Sequence, residues 1–201
     1  MKADQAAPEY LAAFREIITR IQQSISGSRK VFKGPLRIFV AGGAAAHCYT
    51  GARISEDVDA TLSHRVLLPE NLEVSYRGKD GTPRLLYYDR QYNDTLGLLH
   101  EDAYADSIPF ELEGIDKSLI DLRLLAPTDL VVSKLARFHE DDRRDIRALA
   151  EAGLVEEAKV RARAEEALAG YIGKRKMVRI AIDEVCRMIR ESAPRRGRRR
   201  T

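Results

Sequence analysis

The sequence predicts an α+β fold: a mixed β-sheet flanked by helices, followed by a helical C-terminal part. Three observations lead to this prediction. A helical pattern opens the chain, short runs with strand character fill its middle, and helical patterns continue from residue 130 to residue 193. Strands and helices that are grouped in this way along a chain are typical of α+β domains.

The first elements are a helix, a strand and a second helix. Apolar residues recur three and four positions apart over residues 8–26, which predicts an amphipathic helix. The run LRIFVA, residues 36–41, is too short for a helix and is rich in branched and aromatic side chains, so it predicts a buried strand. The small side chains of residues 44–52 predict a helix that packs closely on a sheet.

The middle of the chain predicts strands. Residues 56–63, EDVDATLS, alternate acidic with apolar or small residues at period two, which is typical of a strand with one polar face. Residues 71–77 and 83–89 flank an Asp80-Gly81 turn and predict a β-hairpin. Further strands are predicted at residues 94–104, 107–114 and 118–125.

The rest of the chain predicts four helices, at residues 130–139, 143–153, 155–173 and 176–193. We divide the chain after residue 153, so that residues 1–153 form a domain that includes the N-terminal helix and the sheet. Residues 154–193 form a helical extension, and residues 194–201 form an arginine-rich tail that we expect to be disordered.

The charge of the chain is concentrated in that tail. Five arginines lie between residues 195 and 200, and without them the formal net charge of +3 becomes −2. The basic character therefore belongs to the tail, which is either a solvated end or an electrostatic arm for RNA or DNA phosphates.

Composition excludes several classes of protein. An apolar content of 44% with 32% charged residues is typical of a globular chain that buries a core. No apolar run approaches the ~20 residues that cross a bilayer, so no membrane partner is expected. Cys48 and Cys186 match no metal-binding spacing, and no apolar segment follows the N-terminal lysine. We therefore expect buried free thiols and a cytoplasmic location.

Asp57 and Asp59 are the candidate metal ligands. Their spacing on a strand places both carboxylates on one face, with Val58 toward the core. Two like charges this close oppose folding unless a cation lies between them. Mg²⁺ (or Mn²⁺) takes oxygen ligands and shares them with substrate phosphates, so the pair predicts a metal site.

Gly42 and Gly43 are candidate phosphate-binding residues. They follow the first predicted strand and precede a helix. Backbone amides at such a turn can approach phosphate oxygens closely, and the positive end of the helix dipole favours the anion. The glycine amides and the two carboxylates are thus complementary, one set for the phosphates and the other for the metal.

These motifs together resemble the DNA polymerase β-type nucleotidyltransferase superfamily. The resemblance rests on a hydrophobic strand, Gly42-Gly43, and then Ser55-Glu56-Asp57-Val58-Asp59-Ala60. Arg53 and Ser55 match the Arg-x-Thr/Ser-x-Asp-x-Asp form of its AbiEii toxin-like and DUF6036 branch. Residues 124–149 are similar to a second element of that branch, through Pro127, Asp129, Leu130, Lys134, Leu135, Arg137, Asp142 and Asp145.

The resemblance implies transfer of a nucleotidyl group from a nucleoside triphosphate to an acceptor hydroxyl, with Mg²⁺ or Mn²⁺. It implies that Asp57 and Asp59 hold the metal and act in catalysis with Lys134. The triphosphate would be bound by Gly42, Gly43, Arg53, Ser55, Lys134 and Arg137. It also suggests the toxin of a toxin–antitoxin pair, with tRNA or another RNA as acceptor and an antitoxin protein as partner.

Two other functions stay open. One is a catalytically weak or inactive module that binds a nucleotide or RNA on the same fold. The other is a protein that only binds a partner through its C-terminal helices. The first predicts nucleotide binding without a labelled product.

The residues of the second element support a phosphate-binding role without the resemblance. Lys134 and Arg137 are three positions apart on one predicted helix, so their side chains share a face. A lysine contacts a triphosphate as a point charge, and an arginine binds it through two donors. Asp142 and Asp145 also share a face, and either bind metal or orient Lys134, Arg137 or Arg144.

The superfamily usually adds a third carboxylate, which acts as a base toward the attacking hydroxyl. The sequence offers two candidates for it. Asp121 lies between apolar residues in LIDLRL, and Asp102 lies close to His100. We favour Asp102, because polar groups surround it. Of the other histidines, we expect His47 to take part in helix packing and His139 to be exposed.

Overall fold

The computed structural model describes residues 5–26, 34–94 and 97–192. Within them, two mixed β-sheets are flanked by six helices, which confirms the predicted α+β class and its helical C-terminal part. The arginine-rich tail lies outside the described residues, so its disorder and its role stay predictions. No helix in the described ranges is long and apolar enough to cross a membrane.

Thirteen elements make up the described part of the chain. The helices are α1 Pro8–Ile25, α2 Gly42–Thr50, α3 Pro127–Lys134, α4 Glu140–Glu151, α5 Glu157–Gly170 and α6 Arg175–Ser192. The strands are β1 Leu36–Val40, β2 Asp57–Val58, β3 Ala60–Leu62, β4 Glu73–Arg77, β5 Pro83–Tyr88, β6 Ile108–Pro109 and β7 Ile120–Leu124.

The first sheet has the strand order β3-β1-β7-β6. Its inner strand β1 pairs in parallel with β7 and antiparallel with β3. All residues of β1 except Arg37 are buried, which is the pattern of a strand covered on both faces. The sequence prediction of a buried strand at this position is confirmed.

The second sheet has the order β2-β5-β4. Strands β4 and β5 form the predicted hairpin around Asp80-Gly81. Strand β2 adds to β5 in parallel, with Val58 opposite Tyr88. The hairpin therefore supplies the strand along which the acidic segment lies.

The prediction of one strand over residues 56–63 is wrong. The segment is divided into β2 and β3, and each belongs to a different sheet. Asp59 lies at the division, and its backbone oxygen accepts a hydrogen bond of 2.8 Å from the backbone nitrogen of Ala41. The chain passes from one sheet to the other at this residue, which fixes Asp59 against the start of α2.

Two further predictions need correction. The predicted strand at 94–104 is wrong for its described part, because residues 97–104 contain a bend, irregular backbone and turns, while residues 95 and 96 lie outside the described residues. Of residues 107–114, only Ile108–Pro109 form a strand. Leu98 and Ala103 are buried, so the apolar pattern of this segment reflects contact with the core and not strand pairing. The predicted helix at 130–139 begins earlier and ends at Lys134, because Phe138, with a φ of 47°, closes the turn that leads into α4.

The C-terminal helices pack on the helices that precede them. Helix α5 contacts α3, and α6 contacts α4 and α5. Arg163 on α5 donates two hydrogen bonds, of 2.8 and 3.1 Å, to the buried carboxylate of Asp129 on α3. The division of the chain after residue 153 stays a prediction. Cys48 and Cys186 are both buried free thiols, as expected.

Candidate active site

A pocket of about 350 Å³ lies where β2, β5, α2 and α3 meet. Its lining includes the carboxylates of Asp57, Asp59 and Asp89 on one side. Lys134 and Arg137 line it as well. The pocket therefore brings together acidic groups suited to a metal and basic groups suited to phosphates.

Gly42 begins α2 directly against Asp59. Its φ is 58°, and a Cβ at this position would lie only 1.9 Å from Oδ2 of Asp59. Both the backbone conformation and the space therefore require glycine. The turn therefore holds the Asp59 carboxylate close to the N-terminus of α2.

Gly43 lies under two side chains of the same motif. A Cβ on Gly43 would lie 2.4 Å from Nη2 of Arg53 and 2.5 Å from Oγ of Ser55. The Ser55 hydroxyl is buried and donates a hydrogen bond of 2.6 Å to Oδ1 of Asp57. Arg53 and Ser55 do not line the pocket themselves, but they contact the residues that do: Ser55 positions Asp57, and both pack against the glycine turn.

Asp89 is placed beside Asp59 by the pairing of β2 with β5. Val58 pairs with Tyr88, and the backbone nitrogen of Asp89 donates a hydrogen bond of 3.1 Å to the backbone oxygen of Val58. The residues that follow this pair, Asp59 and Asp89, are therefore neighbours. Burial, together with the negative charges of Asp57 and Asp89, raises the pKa of Asp59 to about 6. A buried carboxylate with two negative neighbours makes a site that a cation stabilises.

The donor set of the pocket fits Mg²⁺ or Mn²⁺. Among the residues that the structure describes, no group of three or more His, Cys, Asp or Glu side chains is arranged to hold a metal by itself. Mg²⁺ seldom needs such a group, because one or two carboxylates bind it and substrate phosphates and water complete its shell. The pair Asp57 and Asp59 is sufficient in this sense.

Lys134 is held by two buried carboxylates. Its Nζ donates hydrogen bonds of 3.2 Å to Oδ1 of Asp142 and 2.8 Å to Oδ2 of Asp145. The three side chains are at most 3% exposed. An ion pair this deep fixes the position of the ammonium group, because either partner left alone would be a buried unpaired charge.

Two arginines complete this cluster. Arg137 binds Asp142 through two hydrogen bonds, of 3.1 and 2.8 Å. Arg53 binds Asp145 through two hydrogen bonds, both of 3.1 Å. Burial raises the pKa of Asp142, but the hydrogen bonds from Arg137 and the charge of Lys134 lower that pKa more, to below its usual value. Asp142 and Asp145 thus carry the negative charge that orients the three cations.

Comparison with known proteins agrees with this geometry. A protein-family model described as a nucleotidyltransferase of unknown function (DUF6036) matches residues 13–187. The chain belongs to the DUF6036 family. Neither the comparison with curated proteins nor that with solved structures gives a match. Membership confirms the nucleotidyltransferase part of the resemblance, whereas the AbiEii-like branch and the polymerase β-type superfamily stay predictions.

The DUF6036 match covers all the candidate residues of the site, and the structure brings most of them together. Gly42, Asp57, Asp59, Lys134 and Arg137 line the pocket. Gly43, Arg53 and Ser55 lie behind these residues, as described above. The prediction that Lys134 and Arg137 share a helix face is wrong, because α3 ends at Lys134, and the two side chains meet instead at Asp142.

The two candidates for the third carboxylate lie outside this pocket. Asp102 lines an adjoining cavity, with its side chain 62% exposed and 3.8 Å from Nδ1 of His100. Asp121 lies on β7 and forms ion pairs with Arg37 and Arg123. The catalytic role of Asp102 stays a prediction that its position does not favour.

Sequence reasoning missed Asp89. The signal was present, because Asp89 ends the second strand of the predicted hairpin. Its meaning depends on the parallel pairing of that strand with β2, which no local pattern reveals. The histidine predictions hold: His47 is buried with its ring 4.6 Å from that of Tyr10, and His139 is exposed at the start of α4.

Proposed function

We propose that this DUF6036 protein is a metal-dependent nucleotidyltransferase that transfers a nucleotidyl group from a nucleoside triphosphate to an acceptor hydroxyl. The observation that carries the proposal is a single pocket lined by Asp57, Asp59 and Asp89 together with Lys134 and Arg137. Carboxylates for a metal and fixed cations for phosphates are the two parts that nucleotidyl transfer requires.

Asp57 and Asp59 are the residues that would hold Mg²⁺ or Mn²⁺. The bound metal would neutralise the charge of the triphosphate and of the leaving pyrophosphate. Ser55 fixes the Asp57 carboxylate by its hydrogen bond, and the Gly42 turn fixes that of Asp59. The chain thus presents two preoriented carboxylates.

Lys134 and Arg137 would bind the triphosphate. An ammonium group has three N–H donors, and Asp142 and Asp145 accept two of those of Lys134, so one remains for a phosphate oxygen. Arg137 uses Nε and Nη2 for Asp142 and keeps Nη1, on a side chain that is 61% exposed. Both cations can therefore bind phosphate without leaving their partners.

Asp89 is our candidate for the base. The acceptor oxygen forms a bond to the α-phosphorus, the bond from that phosphorus to the bridging oxygen breaks, and pyrophosphate leaves with the bonding electrons. The hydroxyl proton passes to a carboxylate, and Asp89 is the carboxylate beside Asp59 that the two strands align. Asp102 is the rival for this role and is tested beside it.

RNA as acceptor, toxin activity and an antitoxin partner are finer proposals that rest on the AbiEii-like resemblance. The arginine-rich tail that would bind RNA lies outside the described residues. A catalytically inactive nucleotide- or RNA-binding module is the second candidate. It predicts that the wild-type chain binds a triphosphate and Mn²⁺ but forms no labelled product.

The test is incubation of the purified chain with Mg²⁺, nucleoside triphosphates and total RNA, using either α- or γ-labelled triphosphate. We expect label from the α-phosphate alone in RNA, in protein or in a small-molecule product. Asp57→Asn and Asp59→Asn should abolish this labelling. Asp121→Asn, which replaces a carboxylate on another surface, should leave the labelling unchanged. Equal labelling by the Asp57→Asn and wild-type chains, or transfer of the γ-label, contradicts the mechanism.

The same assay assigns the base. We expect Asp89→Asn to lower the rate of label transfer at least a hundredfold, which is the low end of the range for general base catalysis. Asp102→Asn then keeps most of the rate of bond formation. If Asp102→Asn lowers the rate of label transfer more than Asp89→Asn does, then Asp102 and not Asp89 is the base.

A further inference from the structure

A second cavity, of about 990 Å³, adjoins the pocket. We propose that it binds the acceptor and selects a small cationic molecule that carries the reacting hydroxyl. The inference rests on the proposed function and names its acceptor class. We call the larger space the acceptor cavity and the smaller one the triphosphate pocket.

The two spaces share a wall. Asp94, Gly97, Leu98, Leu99 and Tyr171 line both the acceptor cavity and the triphosphate pocket. A molecule in the larger space therefore lies beside the place where the α-phosphorus would be attacked. The volume is at the upper end of the range for small-molecule sites, about 300–1,000 Å³.

The charges that line the acceptor cavity are mostly negative. Asp94, Glu101, Asp102 and Glu166 contribute carboxylates. The arginine of the lining, Arg163, is already neutralised. Its guanidinium binds Asp129 through two hydrogen bonds and also lies 2.6 Å from Oδ2 of Asp106. This lining attracts a cation and repels the phosphates of a nucleic acid.

Glu166 lies beside His100. Nδ1 of His100 accepts a hydrogen bond of 3.1 Å from the backbone nitrogen of Asp102, which leaves Nε2 to donate. Nε2 lies 3.2 Å from Oε2 of Glu166, and the His100 side chain is only 11% exposed. The exposed Glu166 carboxylate thus has a largely buried imidazole as its neighbour in the acceptor cavity.

The remaining lining suits an organic cation. Tyr104 and Tyr171 line the acceptor cavity, and an ammonium group is attracted to aromatic rings. Ile172 lies at its edge and is 95% exposed. Together with the carboxylates, these groups fit an amine-bearing polyol, whose ammonium groups bind while one hydroxyl reacts.

The reaction is the one proposed above with this acceptor. The hydroxyl oxygen bonds to the α-phosphorus, the proton passes to Asp89, and pyrophosphate leaves. The ammonium groups stay protonated and serve only in binding.

The test compares two disaccharides with the same sugar rings: the disaccharide of glucosamine, with two amines that are protonated, and its diacetylated form, with two neutral amides in their place. Calorimetric titration should show millimolar or tighter binding of the diamine and much weaker binding of the acetylated form. We expect Glu166→Gln and Asp102→Asn each to weaken binding of the diamine about tenfold, the effect of losing one hydrogen bond to a charged group. Glu165→Gln, the exposed neighbour on α5, is the matched control and should bind like the wild type.

Three results would overturn the inference: no binding of the diamine by the wild-type chain, equal binding by Glu166→Gln, or α-label transfer to RNA that Glu166→Gln leaves unchanged. Mn²⁺-dependent triphosphate binding, measured on the same proteins, separates this failure from that of the proposed function. If the metal and triphosphate bind but the diamine does not, only the acceptor class is wrong. If the diamine binds but no acceptor is ever labelled, the proposed transfer itself is wrong.

Discussion

Gly42→Ala tests whether the glycine turn serves to place the Asp59 carboxylate. Gly114→Ala is the matched control. Both glycines have a positive φ, of 58° and 83°, so both substitutions place alanine in the left-handed region. Open space surrounds a Cβ at Gly114, whereas at Gly42 a Cβ would meet Asp59. The pair thus separates backbone strain from displacement of the carboxylate.

The magnitudes follow from the two sites. Alanine in the left-handed region costs roughly 1–2 kcal/mol at either position. At Gly42 the new Cβ would lie 1.9 Å from Oδ2 of Asp59, so the carboxylate must move by about 1.5 Å to reach ordinary van der Waals contact. Functional groups tolerate displacements of only about 0.5 Å. We therefore expect lost metal binding in addition to the strain.

Urea unfolding and Mn²⁺ titration by electron paramagnetic resonance give the two measurements. Gly114→Ala should lose about 1–2 kcal/mol of unfolding free energy and bind Mn²⁺ like the parent. Gly42→Ala should lose at least as much and weaken Mn²⁺ binding more than about tenfold. If Gly42→Ala is folded and binds Mn²⁺ with the parental affinity, then Asp59 is not a ligand that this turn holds.

Three further predictions concern charge. Lys134→Met removes the cation that bridges Asp142 and Asp145 but leaves each carboxylate one arginine, so it should cost about 1.5–3 kcal/mol of unfolding free energy in urea, the range for lost hydrogen bonds to charged groups. The exposed Arg144→Met should cost less than about 1 kcal/mol. Burial and nearby carboxylates raise the pKa of Asp59 to about 6, so the unfolding free energy of the metal-free chain should fall by about 2 kcal/mol as the pH rises from 4 to 6. Asp59→Asn should remove this slope. The affinity for Mn²⁺ should fall as the pH drops below about 6, because the protonated carboxyl group no longer binds the metal. Burial lowers the pKa of His47, so the unfolded chain binds more protons at this residue than the folded chain does. The unfolding free energy should therefore decrease as the pH is lowered below the pKa that His47 has in the unfolded chain. His47→Gln should remove this decrease.

The sequence predicted best those features that depend on a local pattern of residues. The alternation around Asp57 and Asp59 and the glycine pair before a helix are short-range signals, and the structure places both at the pocket. The resemblance added Lys134 and Arg137, which lie too far along the chain for any local pattern to connect with the acidic strand. Residue type and spacing were therefore enough to single out residues that line one pocket, and the roles of these residues stay predictions.

What the sequence did not predict depends on which strands pair. Residues 56–63 alternate like one strand, but their first half, β2, pairs with β5 and their second half, β3, pairs with β1. The division between the two halves falls at Asp59. The same pairing aligns Asp89 with Asp59, so the missed carboxylate and the wrong strand have one cause. Asp102 was favoured for its polar neighbours, yet those neighbours belong to the adjoining cavity.

The two sequence motifs are joined in space by one carboxylate. Asp145 binds Arg53 of the first motif and Lys134 of the second, so the acidic pair of α4 serves as a support and not as a second metal site. The charges around the pocket support the proposal that the triphosphate binds together with a metal. Three cations face two carboxylates in the support, and four more carboxylates line the pocket: Asp57, Asp59, Asp89 and Asp94. The balance is three negative charges, which would repel a triphosphate. A divalent cation reverses most of this repulsion, so metal and triphosphate should each strengthen the binding of the other.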